Sequence, residues 1–370
     1  MKLLVRSLCL FLLLCATRNV IAQSGVLNPN DNVVVYNSAT PPSQPAFGQV
    51  GKWVKTTRMN WNTTSFKAYI YKGMAFRLKF PKSYQHGVAD GKTYPVMIFF
   101  HGVGEKGSIY DNEFQLYHGG QVHSNGVDNG NFDGFLLYPQ NVGGFFGAAQ
   151  YDFIKELIEN FMVPQVKVDL NRVIIDGLSG GGTASWDMLF RHPKLIGASY
   201  PISAASVAYA DRLSTAQYIP IWHFQGGLDN SPHPNTSKVI VDRAAAIGAN
   251  YRYSLYPDQG HGCWYSAWAE PDFYPSLNRV HKANPHPLFG RTEFCPTDPI
   301  NVKMGVTAGF DGYEWRKNGI VISGATTNEI TVTTVGKYDC RIRRGTVWSI
   351  YSPIPVDIKI KAATVSPAIT

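Results

Sequence analysis

The sequence contains few charged residues, and its basic residues are scattered. These two properties argue against a disordered chain and against a nucleic-acid-binding protein. Only 16% of its 370 residues are Asp, Glu, Lys or Arg, whereas 44% are hydrophobic and 13% are aromatic. Disordered chains have the opposite balance, so this chain is expected to fold around a large core. Its 34 Lys and Arg residues are scattered and form no basic run, so no nucleic-acid partner is predicted.

Long apolar runs are also missing beyond the N-terminus, so no transmembrane segment is predicted in the remainder of the chain. The first 22 residues have the three parts of a secretory signal peptide: a basic start with Lys2 and Arg6, an apolar run over 8–15, and a cleavage site at 20–22. Removal of this segment lowers the net charge from +8 to +5. The protein is therefore expected to be secreted or periplasmic.

Cysteine is scarce as well. Two of the five cysteines belong to the signal segment, which leaves Cys263, Cys295 and Cys340. In an oxidising compartment this odd number allows one disulfide and one free thiol. Zinc motifs such as H-E-x-x-H are absent from the sequence, and neither a metal nor a cofactor is predicted.

The rest of the chain divides into three parts. Residues 23–65 are irregular and form a lead-in with room for one edge strand. Residues 66–291 alternate apolar strands with amphipathic helices, as in a mostly parallel sheet covered on both faces. Residues 292–362 contain only short β runs, which predicts a small all-β sandwich. The predicted strands cover 67–72, 75–80, 95–100, 134–138, 171–176, 219–224, 251–256, 301–304, 313–316, 329–332 and 337–342, and the predicted helices cover 148–161, 183–191 and 237–246.

A glycine-rich segment directly follows the predicted strand over 171–176. Its residues 177–181 read G-L-S-G-G and lead into a helix. G-x-S-x-G at a strand-to-helix turn is a nucleophile elbow, in which Gly177 and Gly181 leave room for the tight bend. A phosphate-binding loop would need a lysine at the start of the helix, and none is present. Ser179 is therefore the predicted nucleophile.

A serine nucleophile needs a base and an orienting carboxylate, which follow it along the chain in the order acid, then histidine. His261 is the predicted base because it lies in a glycine-flanked loop after a buried strand. Asp229 is the predicted carboxylate because the loop over 226–230 also follows a buried strand. Asp258, the alternative, is assigned to a turn beside the base. His223 lies inside a strand and is interpreted as a core residue.

Two backbone amides are predicted to stabilise the oxyanion that forms in acyl transfer. The first belongs to Gly180, directly after the nucleophile. The second belongs to Val103, in the loop that follows the strand over 95–100. His101 and Gly102 begin this loop, and His101 is expected to fix it through hydrogen bonds from a buried position.

Together these motifs resemble the α/β-hydrolase superfamily, and within it the secreted esterases and polyhydroxybutyrate-depolymerase-like enzymes, including carbohydrate-esterase family one and feruloyl esterases. The resemblance covers about 66–280 and rests on segments 94–102, 104–107, 111–112, 115–116, 139–140, 177–181, 226–229, 256–257 and 260–261 and on Trp264. It implies an α/β-hydrolase fold and a Ser-His-Asp triad acting on an ester. The same group contains predicted peptidases. One departure is Gly-Gly-Leu before Asp229, where the group usually has His-Gly.

The C-terminal part resembles an immunoglobulin or fibronectin type III domain. Residues 336–340 are similar to a tyrosine corner, with the tyrosine two residues before Cys340, and Trp315 corresponds to the core tryptophan. The usual first core cysteine is missing, and the resemblance implies a disulfide between Cys295 and Cys340 that leaves Cys263 free. Such a domain binds polysaccharide or serves as a spacer or docking module.

The leading hypothesis is a secreted serine esterase that removes acetyl or feruloyl groups from a polysaccharide or cleaves related extracellular esters. The alternatives are a polyhydroxyalkanoate depolymerase, a serine peptidase of the prolyl-oligopeptidase kind and a non-catalytic glycan-binding adhesin. The missing propeller argues against the peptidase, and the complete triad argues against the adhesin. Trp186 and Trp264 are candidate pocket residues. The loops over 107–133 and 209–216 follow no sequence rule for substrate choice.

Overall fold

The computed structural model describes residues 26–361. A nine-stranded sheet forms the centre of the first part, and two smaller sheets form the C-terminal part. The predicted signal peptide, residues 1–22, lies outside the described residues. Between residues 26 and 361 no helix is long and apolar enough to cross a membrane.

The first part begins with short strands and continues as alternating strands and helices. Its strands are β1 (Val34–Val35), β2 (Val50–Lys52), β3 (Val54–Lys55), β4 (Lys67–Tyr71), β5 (Met74–Lys79), β6 (Tyr94–Phe100), β7 (Phe135–Pro139), β8 (Val168–Leu178), β9 (Ala198–Ile202), β10 (Ile221–Gly226) and β11 (Tyr251–Tyr256). Its helices are α1 (Gly120–Asp128), α2 (Ala148–Leu157), α3 (Val163–Val166), α4 (Gly180–Arg191), α5 (Val207–Arg212), α6 (Pro234–Ile247), α7 (Trp264–Trp268) and α8 (Phe273–Asn278). Short 3-10 turns cover Val103–Glu105, Phe114–Leu116 and Leu213–Ala216, and a π turn covers Ile158–Met162.

The large sheet has the strand order β11-β10-β9-β8-β6-β7-β5-β4-β2. The strands from β6 to β11 are mutually parallel, and β5, β4 and β2 add an antiparallel edge. Every residue of β6, β7 and β9 is buried, because helices cover both faces. This confirms the predicted architecture. The carboxyl ends of β6, β8, β10 and β11 therefore lie along one edge, where the chemistry is expected.

The structure contains elements that the sequence did not predict, among them the helices α1, α5, α7 and α8, and two further differences bear on the site. The strand β9 was not predicted, because its sequence, Ala-Ser-Tyr-Pro-Ile, contains a serine and a proline that interrupt the apolar pattern. The helix α4 begins at Gly180 instead of residue 183, because the glycines of the elbow continue directly into the helix. The first amides of α4 are thereby brought next to Ser179.

The lead-in packs onto the first part. Its strand β2 pairs with β4 as the edge of the large sheet, and Leu27 is buried in the core. Trp53 Nε1 donates to the carbonyl of Ile109 over 2.6 Å, and the Glu113 carboxylate accepts from the Met59 amide over 2.9 Å. These bonds hold the loop between β6 and α1. No sequence rule predicted the conformation of this loop.

The C-terminal part consists of two sheets around a separate core. Its strands are β12 (His286–Pro287), β13 (Glu293–Phe294), β14 (Val302–Gly305), β15 (Gly312–Lys317), β16 (Ile320–Val321), β17 (Glu329–Val332), β18 (Gly336–Arg344), β19 (Val347–Trp348) and β20 (Val356–Ile360), and a 3-10 turn covers Leu288–Gly290. One sheet has the order β12-β14-β17, and the other has the order β13-β20-β18-β15-β16 with β19 beside β18. Trp315 and Cys340 lie in the core, and the Tyr338 hydroxyl donates to Thr334 O over 2.9 Å, as a tyrosine corner requires.

The predicted disulfide between Cys295 and Cys340 is wrong, since both cysteines are free. Cys340 lies on β18 opposite Trp315, whereas Cys295 is exposed just after β13. The strand β20 separates β13 from β18, so the two cysteines are at least about two strand spacings, roughly 9.5 Å, apart. A disulfide requires Cα atoms within about 7 Å.

The two parts of the chain are joined by hydrogen bonds from the partly buried Arg344 and the buried Lys282. The Arg344 guanidinium donates to Leu170 O over 3.2 Å and to Lys194 O over 3.1 Å. Lys282 Nζ donates to Ile196 O and to Thr307 Oγ1, each over 2.6 Å. Burial lowers the pKa of Arg344 to about 10. The C-terminal part is thus docked on the first part.

We expect Arg344→Ala to lower the free energy of unfolding by about 2–3 kcal/mol, because hydrogen bonds from a charged donor are lost and their carbonyl acceptors lose their partner. Differential scanning calorimetry would show a lower Tm. Arg291→Ala is the matched control, because Arg291 pairs with Asp298 at the surface, where such pairs contribute little. Equal melting curves for the two variants would contradict the docking role of Arg344.

Candidate active site

Ser179 lies at the turn between β8 and α4, in a backbone conformation that few side chains adopt. Its φ is 54° and its ψ is −120°, a strained region for any residue except glycine. The Ser179 amide donates to Ile202 O at the end of β9 over 2.9 Å. The strain and this anchor together project the side chain out of the sheet edge, as expected for a nucleophile elbow.

The glycines on either side of Ser179 allow backbone segments to touch. A Cβ on Gly177 would lie 2.4 Å from Gly181 O, and a Cβ on Gly181 would lie 1.9 Å from Phe100 O. Both clashing atoms belong to the backbone, which cannot rotate away as a side chain can. The two glycines are therefore required for the packing of the elbow against β6.

We expect Gly181→Ala to lower the free energy of unfolding by about 3–5 kcal/mol, which corresponds to a drop in Tm of roughly 10 °C. The added methyl group would displace the carboxyl end of β6, which leads into the Val103 loop. Gly104→Ala is the control, because a Cβ there meets nothing within 4 Å. A thermal shift assay on both variants measures the difference, and similar Tm values would contradict the steric argument.

The three predicted triad residues meet at the sheet edge. Ser179 Oγ lies 2.8 Å from His261 Nε2, and His261 Nδ1 lies 2.8 Å from Asp229 Oδ2. The Asp229 side chain is only 2% exposed, whereas that of His261 is 39% exposed. With Nδ1 protonated and bonded to the carboxylate, Nε2 is free to accept the serine proton. The site can thus activate Ser179 and still admit a substrate.

Two further side chains hold the triad in place, and sequence reasoning missed both. Gln225, on β10, donates to Asp229 Oδ2 over 3.0 Å. Ser203, just after β9, donates to the backbone carbonyl of His261 over 2.6 Å. Ser203 also has a positive φ, 51°. The position of Gln225, immediately before Gly226-Gly227 in the loop of Asp229, could have predicted its contact with Asp229. Nothing in the sequence linked Ser203 to the loop of His261.

The two residues predicted to supply the oxyanion donors pack against each other. A Cβ on Gly180 would be 2.8 Å from Val103 Cγ2, so the Val103 loop packs directly against the start of α4. The Gly180 amide also belongs to the N-terminus of α4, where unpaired amides and the helix dipole favour negative charge. The arrangement suits an oxyanion formed on a substrate attacked by Ser179.

His101 fixes the loop that contains Val103. Its Nδ1–H donates to Gly102 O over 2.7 Å, and its Nε2 accepts from the Asn141 amide over 3.1 Å. Burial lowers the pKa of His101 to about 4, so the ring stays neutral and keeps this proton arrangement. The structure therefore supports the predicted structural function of His101 beside Gly102. Asn141 is an additional support that the sequence did not reveal.

The two candidate pocket tryptophans have different environments. Trp264 is half-buried, and its ring lies 6.0 Å from that of His261, so it borders the site. Trp186 does not. It is fully buried, stacks on Phe190 and Tyr209, and donates from Nε1 to Ala204 O over 3.0 Å. The assignment of Trp186 to the pocket is wrong because α4 turns this face toward the core.

Three other residues continue the border beyond Trp264: His118, Tyr265 and Glu105. The His118 ring lies 4.8 Å from that of Trp264, and its Nδ1 is 3.2 Å from the Tyr265 hydroxyl. His118 Nε2 lies 3.4 Å from Glu105 Oε1. Sequence reasoning assigned none of the three residues a function of its own, and His118 lies in the loop over 107–133 that followed no rule.

Asp176, His223 and Asp258 are not part of the triad. Asp176, on β8, accepts from Trp268 Nε1 over 3.0 Å and thereby anchors α7, which begins at Trp264. His223 is buried, with Nδ1 2.7 Å from the Tyr251 hydroxyl. Asp258 is exposed. Among residues 26–361 no cluster of three or more His, Cys, Asp or Glu side chains could hold a metal ion.

Comparison with known proteins gives structural matches only. No family model matches the chain, and no curated protein matches it. Among solved structures, the chain is similar to a thermostable esterase at 26% identity and a TM-score of 0.50, over 59% of this chain and 63% of the esterase. The match thus spans less than two thirds of that esterase.

Two more distant structures match at lower TM-scores. A feruloyl esterase module from Clostridium thermocellum, complexed with sinapinate, matches at 14% identity and a TM-score of 0.45, over 67% of this chain and 94% of the module. An acylaminoacyl peptidase from Pyrococcus horikoshii matches at 14% identity and a TM-score of 0.43, over 56% of this chain and 40% of the peptidase.

The mostly parallel sheet and the nucleophile elbow after β8 are features of the α/β-hydrolase fold, and the match to the thermostable esterase supports this assignment. The first part of the chain has the α/β-hydrolase fold.

Proposed function

We propose that the protein is a serine carboxylic-ester hydrolase that uses Ser179, His261 and Asp229. The observation that carries this proposal is the continuous chain of two 2.8 Å contacts from the Ser179 hydroxyl through His261 to the buried Asp229 carboxylate. The similarity to a thermostable esterase supports the same activity.

In the proposed reaction, Ser179 Oγ attacks the ester carbonyl carbon while His261 Nε2 takes the hydroxyl proton. The Gly180 and Val103 amides bind the oxyanion, and Asp229 stabilises the imidazolium. His261 then passes the proton to the leaving alcohol, and the C–O bond breaks to leave an acyl-serine. Water, deprotonated by His261, then attacks the acyl carbon; the bond from this carbon to Ser179 Oγ breaks, His261 returns the proton to Oγ, and the acid is released.

We further propose that the substrates are acyl esters of polysaccharides, with acetyl or feruloyl groups, and that the protein acts outside the cell. The half-buried Trp264 ring beside His261 supports a sugar, because the C–H groups of a sugar ring pack on aromatic rings. The signal-peptide pattern of residues 1–22 supports export.

A panel of substrates tests the proposed activity: p-nitrophenyl acetate, acetylated xylan, methyl ferulate, poly(3-hydroxybutyrate) and a dipeptide amide. We expect hydrolysis of the nitrophenyl ester and of at least one polysaccharide-type ester. Cleavage of the amide alone would identify a peptidase, and preference for the polymer would identify a polyester depolymerase. No hydrolysis of any substrate would remove the enzyme assignment.

A fluorophosphonate probe tests the nucleophile independently of the choice of substrate. It reacts only with an activated serine, so mass spectrometry of a tryptic digest should find the adduct on the peptide that contains Ser179. An adduct on another serine, or none, would contradict the proposed mechanism.

A further inference from the structure

The border of the active site contains a second series of hydroxyl, imidazole and carboxylate groups besides the triad. The Tyr265 hydroxyl lies 3.2 Å from His118 Nδ1, and His118 Nε2 lies 3.4 Å from Glu105 Oε1. We refer to Tyr265, His118 and Glu105 as the outer relay. Its chemical order matches that of the triad, but its exposed end is a phenol.

The outer relay connects the two loops on either side of Ser179. Glu105 belongs to the oxyanion loop, since its Oε2 would lie 2.8 Å from a Cβ on Gly102. His118 packs on Trp264, and Trp264 borders His261. The relay therefore forms a wall that extends from the oxyanion loop to the base.

The protons of the outer relay can be assigned from its surroundings. Burial lowers the pKa of His118, so its ring is neutral at pH 7. A neutral ring that faces a carboxylate keeps its proton on Nε2, and Nδ1 then accepts from the Tyr265 hydroxyl. With its own proton donated to His118, the phenol oxygen of Tyr265 offers its lone pairs to a ligand. Tyr265 is 52% exposed, so a ligand can reach it.

The position of this wall identifies the part of a substrate that it faces. His261 must reach the oxygen of the departing alcohol, so the alcohol lies on the side of His261 and Trp264. Two polar atoms here, Glu105 Oε2 and Trp264 Nε1, have no hydrogen-bond partner among the described residues. Both atoms are buried, so the polar group that this wall exposes is the Tyr265 hydroxyl, with the Glu105 carboxylate buried behind it.

We propose that Tyr265 binds a hydroxyl group of the leaving alcohol, and that His118 and Glu105 position it for this contact. The preferred leaving group is an uncharged, polyhydroxylated ring, such as a sugar residue, lying against Trp264. The proposal rests on the ester hydrolysis proposed above. The Glu105 carboxylate disfavours an acidic leaving group, and a purely aliphatic alcohol would leave the Tyr265 oxygen without a donor.

The test compares two esters that share an acyl group: p-nitrophenyl acetate and an acetylated xylo-oligosaccharide. Tyr265→Phe should reduce kcat/KM for the sugar ester roughly three- to tenfold more than for the nitrophenyl ester, because one hydrogen bond to the leaving group is lost. The change should be mostly in KM. Tyr117→Phe is the matched control, because Tyr117 is an exposed neighbour whose ring lies 4.6 Å from the His118 ring.

A second variant tests the positioning function. His118→Phe removes the acceptor of the Tyr265 proton, and it should impair the sugar ester selectively as well. The effects of Tyr265→Phe and His118→Phe should not add in the double variant, because the two residues form one unit.

Equal losses on the two esters, or equal results for the Tyr265 and Tyr117 variants, would overturn the inference while leaving the esterase proposal intact. The same holds if the wild-type protein cleaves the nitrophenyl ester but no sugar ester. Failure of the wild-type protein to cleave either ester would instead contradict the proposed function on which the inference depends.

Discussion

Replacement of Ser179 by alanine is expected to reduce kcat for p-nitrophenyl acetate by about 10⁴- to 10⁶-fold, the range seen when a triad nucleophile is removed. The variant keeps Gly180, Val103 and the histidine loop, so residual activity should come from the oxyanion site and substrate binding alone. Because Oγ makes its hydrogen bond to the partly exposed His261, its loss should change the stability little. Steady-state kinetics and a thermal melt on the same sample separate the two effects.

Ser214→Ala is the control for this prediction, because Ser214 is exposed in the 3-10 turn after α5. It should retain full activity. A Ser179→Ala variant with activity within tenfold of the wild-type value would show that another group performs the nucleophilic step. A variant that loses its activity together with its thermal transition would leave Ser179→Cys, which retains a nucleophile and similar volume, to decide the question.

The sequence was sufficient to predict the reacting groups, because each follows a strand that ends at the same edge of the sheet, although β11 before His261 is a partly exposed edge strand and not the buried strand that was predicted. Ser179 follows β8, Asp229 follows β10 and His261 follows β11, and parallel strands bring their carboxyl ends together. The groups that hold them were harder to predict. Ser203 supports His261 from a loop 58 residues earlier in the sequence, and such a contact depends on the assembled sheet.

The errors of the sequence-based prediction have the same cause, namely contacts that depend on the assembled fold. Trp186 follows the elbow closely, yet the turn of α4 points it at the core. The expected pairing of Cys295 with Cys340 relied on a resemblance, whereas the strand order places β20 between β18, which contains Cys340, and β13, which precedes Cys295. The outer relay was not anticipated because His118 lies in a loop that is held by hydrogen bonds from Trp53 and Met59 of the lead-in. No local sequence pattern encodes these contacts.

Asp229→Asn is expected to reduce kcat by about 10³- to 10⁴-fold, as in other triads that lose the carboxylate charge. The surroundings fix the orientation of the new amide. Oδ1 accepts from the Ser231 amide over 2.8 Å, so the amide oxygen will occupy that position. The NH2 group then replaces Oδ2 and faces His261 Nδ1 and Gln225 Nε2, both of which are donors at present.

This reversal forces the proton of His261 onto Nε2, because Nδ1 must now accept from the amide. The Ser179 hydroxyl then faces a donor and cannot pass on its proton, so the loss should appear in kcat with little change in KM. Asp258→Asn is the control, because the same chemical change occurs on an exposed carboxylate in the loop that contains His261. It should stay within about twofold of the wild-type kcat. If the Asp258 variant were the impaired one, Asp229 would lose its assignment and the alternative carboxylate would replace it.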